Sequence, residues 1–493
     1  MLFLLHVANA THLCYHCCHK KSSVRRLSKK MKKFISLALI ASLTFAYTVP
    51  SFGIEDTATV QAKQTVKKEK KKSDRIRPAK NKYEYINLEW WQGFNDELLE
   101  GYIIKAIENN KDLKMATLSM EEYYQKVAIQ RADELPSIQA GFMPGYGNFT
   151  GKSHEGFGFP LIASYELDLF GKNHNKTTSQ RKQYEASVLD EKAAYIAIAS
   201  AVGTAYVNII RLDAMVDLQT EIVSLRKEIL KMMLMANSEG IASTSDLVRA
   251  NESYIAGITD LTEVKKQRTQ LLHALAVLIG DSPENIEEYE RINWSELVYS
   301  GTVPAYVNSE IITQRPDYMK AEKMLEKAGI DVKVARKECL PSINLGGGVL
   351  FNAQNIGSLF TTSNALWGLG GGIMHNIFAG GRIKANLKLK KLAYEKSLKN
   401  YEKINLTSMQ EVNDSLVAVN MDREKLSKQQ EIQKLEEKDF SLNSLKYDEG
   451  VISKLDLNQR KENLMSVNKM VYSSQFDCMI DYINYYKAVG AKA

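Results

Sequence analysis

Leu135-Pro136-Ser137-Ile138 returns as Leu340-Pro341-Ser342-Ile343, and it does not return alone. Leu169-Phe170-Gly171-Lys172 comes back loosely as Ile377-Phe378-Ala379-Gly380-Gly381-Arg382. Glu239-Gly240, followed by Asp246-Leu247, comes back as Glu449-Gly450, followed by Asp456-Leu457. The landmarks keep their order, at offsets of about 205 to 210 residues. A single tetrapeptide recurs by chance, but three ordered landmarks indicate one unit used twice. The period is too long for a solenoid repeat and fits an internally duplicated domain.

Each Leu-Pro marks a change of periodicity. Before it, residues 96–134 and 309–338 read as helix. After it, residues 137–149 and 159–170 carry strand signals, with Ile138, Phe142, Tyr146, Leu161, Tyr165 and Leu167 among them. The polar, glycine-containing segment from Thr150 to Gly156 turns that hairpin. In the second copy the strands fall at 341–353 and 364–378, around a polar loop at 354–363. Long helical stretches follow, over 172–238 and 381–448, each broken by a glycine, Gly240 or Gly450. Return helices run to Ile279 and to about Tyr486.

In the first long helix Tyr195, Ile198, Val202, Ala205, Ile209, Leu212 and Val216 alternate steps of three and four, which is a coiled-coil seam. The same zone invites a transmembrane reading. Asn208 interrupts it, Lys192 and Arg211 flank it, and it falls short of about 20 residues.

The formal net charge of +7 misleads. Residues 1–53 carry eight lysines and arginines and no acid, so removing those eight from +7 leaves −1. The basicity belongs to a targeting segment, and a nucleic-acid partner loses its main support. Met31-Lys32-Lys33, the apolar stretch Phe34–Ala46 and Ser51-Phe52-Gly53 form a secretory signal, with Met31 as the expected start and cleavage expected near Gly53. Three of the five cysteines, Cys14, Cys17 and Cys18, lie in that leader and read as incidental, leaving Cys339 and Cys478. No cysteine follows the signal's small residues, so no lipid attachment is expected.

The chain thus divides into a leader and signal peptide (1–53), a basic flexible tether (54–82), a first repeat (83–280, hairpin 137–170), a linker (281–308) and a second repeat (309–488, hairpin 341–378). The tether run Lys67-Lys68-Glu69-Lys70-Lys71-Lys72 reads as solvated linker, with anionic lipid or cell-wall polymer as the alternative. Two separated hairpins leave open strand edges and are too few for a closed barrel, which takes about eight strands or more. A multimer closes the edges; physics does not fix its number.

The ordered motifs resemble the TolC-like outer-membrane efflux proteins, the outer-membrane factors of resistance-nodulation-division pumps. The resemblance covers about residues 84–488. It rests on Ser164-Tyr165-Glu166-Leu167-Asp168-Leu169-Phe170-Gly171-Lys172, on Gln314-Arg315-Pro316-Asp317-Tyr318-Met319-Lys320-Ala321-Glu322, on Leu275–Gly280, on Leu340–Ile343 and on Phe378–Arg382. It implies an α+β membrane protein: a trimeric, 12-stranded outer-membrane β-barrel continued by a long periplasmic α-helical barrel, with two repeats per chain. It implies as partners a second and third copy, a periplasmic membrane-fusion adaptor, an inner-membrane pump and outer-membrane lipid, with no nucleic acid and no cofactor.

The resemblance also implies a site at the helical tips. Gly240, Ile241 and Ser243, with Gly450, Val451 and Ser453, correspond to the adaptor-contacting turns. Asp456 corresponds to an acid lining the closed entrance, and Gln459 replaces a second acid. Tyr447 and Asp246 correspond to a pair that holds the gate shut. Asp246 and Asp456 equally suit helix capping, and both roles can coexist. The expected function is a passive exit duct for drugs, detergents or metal ions. Type I protein secretion and a non-transport coiled-coil surface protein are the alternatives. An enzyme is not expected: after the signal only His154, His174, His273 and His375 remain, widely spaced, with no nucleophile-and-base cluster. Gly346–Gly348 and Gly370–Gly372 lie in strand-like segments and open no helix as a phosphate loop would.

Overall fold

The computed structural model describes residues 89–148, 153–301, 303 and 309–490. The leader, the signal, the tether, the tip of the first hairpin and most of residues 302–308 lie outside the described residues. In chain order the elements are α1 (Glu89–Gln92), α2 (Glu97–Asn109), α3 (Lys111–Ala132), β1 (Ser137–Ala140), β2 (Met143–Asn148), β3 (Ser153–Leu167), α4 (Lys172–Ser238) and α5 (Thr244–Ile279). Then come α6 (Pro316–Lys337), β4 (Ser342–Ala353), β5 (Ala365–Met374), α7 (Arg382–Asp448) and α8 (Lys454–Val489). Helices α4 and α7 each have 67 residues, and α5 and α8 each have 36.

The two hairpins are not isolated, as the sequence reading had them. Strand β3 pairs antiparallel with β4 from Phe157↔Ala353 to Leu167↔Ile343, which joins all the strands into one sheet, β1/β2–β3–β4–β5. The reason is that a strand has two edges: β1 and β2 occupy one edge of β3, and β4 takes the other. The outer edges, β1/β2 on one side and β5 on the other, keep unpaired backbone groups within the chain.

Strands β1 and β2 are one strand interrupted by chemistry on its partner. Their registers on β3 are continuous, with Ala140↔Leu161 before the gap and Met143↔Gly158 after it. Pro160 stands opposite Gly141. It accepts from the Gly141 N–H at 3.0 Å but has no N–H to return. Glycine is required where β4 crosses β3: a Cβ on Gly348 would lie 2.7 Å from the Leu161 carbonyl oxygen.

Other expected boundaries shift for local reasons. The helix expected over 96–134 is two helices. Asn110 sits between them with extended backbone (ψ 132°), caps α3 through the Leu113 N–H at 3.0 Å and donates to the Leu278 carbonyl at 2.8 Å. The stretch from Ser309 to Gln314 is a 3-10 turn, and α6 begins at Pro316, in the first-turn position that proline favours. Strand β3 starts at Ser153, inside the expected loop, and ends at Leu167; β5 ends at Met374.

The main core lies where α4 meets α2, α5, α8 and the 289–299 connection. Trp90, Trp91, Phe94, Val202, Tyr206, Ile209, Ile210, Leu275, Phe476 and Ile483 are buried there. Gly203 makes room for Trp90, whose ring edge lies 2.6 Å from where a Cβ would stand. Asp96 caps α2 through the Leu98 N–H (2.9 Å) and accepts from the Tyr206 hydroxyl (2.6 Å), tying the short helices to the long one. The apolar window of α4 that resembles a membrane span is the part this core covers. Helix α4 buries 25 of its 67 residues; α7, equally long, buries five and shows the solvent most of its length.

Candidate functional site

Both long helices start beside the sheet and end at a tight turn. At a rise of about 1.5 Å per residue each runs roughly 100 Å, so the two turns lie at the end remote from the strands. The turns are built alike. Gly240 has φ +72° and Gly450 φ +75°, the left-handed conformation that ends a helix. The Ile241 N–H bonds back to the Ala236 carbonyl at 2.8 Å, and the Gly240 N–H to that of Asn237 at 3.0 Å. The Val451 N–H bonds to the Lys446 carbonyl at 2.8 Å, and the Gly450 N–H to that of Tyr447 at 2.9 Å. This is the Schellman motif twice over, and it satisfies carbonyls that a helix end otherwise leaves open.

A serine then starts each return helix. Ser243 Oγ accepts from the Asp246 N–H at 3.1 Å and donates to Asp246 Oδ2 at 2.7 Å. Ser453 Oγ does the same with Asp456 at 3.1 and 2.7 Å, and the Ser453 N–H also reaches Asp456 Oδ2 at 3.2 Å, completing a capping box. The serine hydroxyl bond holds each carboxyl below its ordinary range, with Arg249 helping at Asp246 and Arg460 at Asp456. Both acids are exposed and therefore stay ionised near neutral pH. Between glycine and serine, Ile241 and Val451 point outward, 82% and 67% exposed. Each turn is thus an apolar knob beside a fixed negative charge.

Gln459 is exposed one turn along α8 from Asp456. Tyr447 is half-buried, and Lys454 Nζ lies 5.4 Å from its ring centroid. Among the described residues no hydrogen bond joins Tyr447 to Asp246 within one chain. Two contributors escaped the sequence reading. Asn237 Nδ2 donates to the Ala242 carbonyl at 3.0 Å and braces the first turn; at the equivalent place in the second turn stands Tyr447. Arg226 joins the two helical hairpins below the turns: its guanidinium meets Glu462 of α8 at 2.6 Å and the Ser253 carbonyl of α5 at 3.0 Å. No local spacing signals a contact between residues 236 positions apart.

Sequence comparison places this architecture among known proteins. The profile described as "Outer membrane efflux protein" matches residues 102–281 and 307–491. The probable efflux pump outer membrane protein TtgC of Pseudomonas putida is 27% identical over 411 residues, 81% of this chain and 84% of that protein. The cation efflux system protein CusC of Escherichia coli K12 is 28% identical over 415 residues, 82% and 89% of the two chains. In structure, the Campylobacter jejuni CmeC outer membrane channel aligns with a TM-score of 0.75 at 25% identity, over 82% of this chain and 88% of CmeC. A crystal structure of CusC aligns at 0.72 and 26% identity, over 84% and 97%.

Proposed function

The chain belongs to the outer membrane efflux protein family, and from that membership we propose that it is the exit duct of a tripartite efflux system. Its place is the bacterial outer membrane. The observation that carries the finer reading is the sheet, four strands wide with both outer edges open. Three such sheets, edge to edge, give 12 strands, enough to close a barrel and remove every edge. Helix α7, so poorly covered in one chain, then finds its cover against neighbouring copies. The equal lengths of α4 and α7, and of α5 and α8, support the reading of two repeats per chain.

The helices extend from the sheet into the periplasm, and the turns at Gly240 and Gly450 meet an adaptor. Ile241 and Val451 supply apolar contact there, and Ser243 and Ser453 fix the turn. When the tips draw together in the assembled ring, Tyr447 meets Asp246, while Asp456 and Gln459 line the narrowed entrance. The duct does no chemistry, and the driving energy comes from an inner-membrane pump. The cargo is a class of small molecules; relatives are named for toluene, antibiotic and cation efflux, and the pump chooses among them.

Two measurements test this. Detergent-solubilised protein should run at three times the mature mass and conduct in planar bilayers. A stable, non-conducting monomer with full strand content would falsify the reading. On intact cells, cysteines placed at 150–158 or 354–363 should react with an impermeant thiol reagent, and cysteines at 240 or 450 should not.

A further inference from the structure

We propose that the junction between sheet and helices holds the phosphodiester of a membrane phospholipid. The inference rests on the outer-membrane reading above, which puts this junction at the inner leaflet. The junction is a cleft of about 1030 Å³, walled by the end of β3 and start of α4, the end of α6 and start of β4, and the end of β5 and start of α7. Pockets for drug-sized molecules run to about 1,000 Å³. A two-chain phospholipid exceeds that, so the cleft takes the headgroup, the glycerol and the first methylenes, with the chains outside.

The walls carry both kinds of group that such a molecule needs. Leu169 and Phe170 in the turn after β3, and Ile373 and Met374 at the end of β5, are exposed, at 63%, 39%, 72% and 69%. Beside them stand Lys172, Lys337 and Arg382, with Glu166 at the end of β3, Asp168 and Glu338. The formal charges balance, but the pairing does not. Glu166 is taken by Lys172 at 2.5 Å. Asp168 accepts from the His174 N–H at 2.8 Å, capping α4, and Glu338 accepts from Asn386 at 2.7 Å. Lys337 has only the Gly171 carbonyl, at 3.1 Å, and no ion pair is described for Arg382. Among the described residues, therefore, Lys337 and Arg382 face the cleft without a carboxylate partner, and Asp168 and Glu338 face it without a cation, a mixed set that suits a phosphate beside an ammonium headgroup. Arg382 opens α7, whose first turn has no side-chain cap, so the helix dipole adds to the field of the two cations. Guanidinium and ammonium groups beside exposed apolar side chains suit a phosphate oxygen at the head of an acyl chain.

Native mass spectrometry tests the site. The solubilised protein is incubated with phosphatidylglycerol, with phosphatidylethanolamine or with neutral diacylglycerol, and bound lipid is counted per chain. Wild type should retain both phospholipids and lose diacylglycerol. Arg382→Glu should lower phospholipid retention by about tenfold, the effect of one charge-assisted contact. Lys337→Met should act in the same direction and serves if Arg382→Glu does not assemble. Equal retention by wild type and variants overturns the proposal. So does displacement of the phospholipids by millimolar inorganic phosphate, which marks a free-anion site, and so does equal retention of diacylglycerol, which marks a merely greasy groove. A neighbouring copy filling the cleft gives no retention in any arm and overturns it too. Conductance of the same preparations separates the two readings: a conducting channel without retained lipid refutes this site alone.

Discussion

At the scale of single residues, the tips show how two roles rest on one side chain. Asp246 and Asp456 cap helices, each fixed by its serine, and this geometry holds whether or not a gate exists. The cap aims the carboxylate, and an aimed carboxylate can serve an entrance. Tyr447→Phe combined with Asp246→Ala should raise single-channel conductance while the assembled mass on sizing stays unchanged; wild-type conductance in that variant leaves the cap as the whole role of Asp246. Asp456→Ala should weaken cation preference, read as a smaller reversal potential in a salt gradient, and only partly, because Gln459 already stands where a second acid is expected. The pH dependence has a definite sign. A carboxyl held below its ordinary range contributes stability above the unfolded value and loses it as pH falls through the folded one. Cation preference from Asp456 should therefore persist from pH 8 down to about 5 and fade only below the usual carboxylate range near pH 4. The turn glycines, the serines and the acids are legible in sequence because capping is local and spacing-dependent. Asn237 is not, since nothing in its neighbourhood distinguishes a bracing amide from any exposed asparagine.

At the scale of elements, helices are legible by their ends and strands by their partners. Gly171 and Gly240 bracket α4 because each adopts a backbone conformation that other residues resist. The break at Asn110 has only a capping asparagine as its marker, and the second bond that holds it, to the Leu278 carbonyl 168 positions away, has none in the local sequence. The union of the two hairpins is likewise a long-range fact, settled by how β3 and β4 match in length and register. Packing makes its own demands on sequence, and Gly203 is the clearest. It sits mid-helix, where glycine costs about 1 kcal/mol relative to alanine. That cost is accepted because the Trp90 ring fills the space a Cβ would take. Gly203→Ala should therefore destabilise rather than stabilise, by about 1–3 kcal/mol from overpacking. A lowered urea midpoint with an unchanged slope would show it, and a raised midpoint would mean that Trp90 moves aside at little cost.

At the scale of the whole molecule, the proposed closable end raises the question of how the helical hairpins are hinged. The sheet end is committed to its hydrogen-bonded ladders. Among the described residues the tips carry no ladder, and the hairpins α4/α5 and α7/α8 are joined near them by side-chain pairs. Arg226 is one fastening, beside Arg211–Asp477 at 3.1 Å further from the turns: its guanidinium reaches α8 through Glu462 and α5 through the Ser253 carbonyl, so one side chain spans three helices. Both partners are largely shielded, with the Arg226 and Glu462 side chains 21% and 19% exposed, so the pair is not discounted as a surface bridge is. The neighbouring Lys461–Glu221 pair, at 3.0 Å, is 40% and 55% exposed and serves as a control. A hydrogen bond to a charged group contributes about 1.5–3 kcal/mol. Opening by separation of the hairpins must break that link, whereas opening by their joint rotation leaves it intact. Arg226→Met should then raise conductance if the hairpins part, while Lys461→Met changes little. Arg226→Lys, which keeps the charge but not the fork, should fall between. If Arg226→Met lowers the unfolding midpoint but conducts like wild type, the hairpins travel together and the gate lies wholly in the turns beyond them.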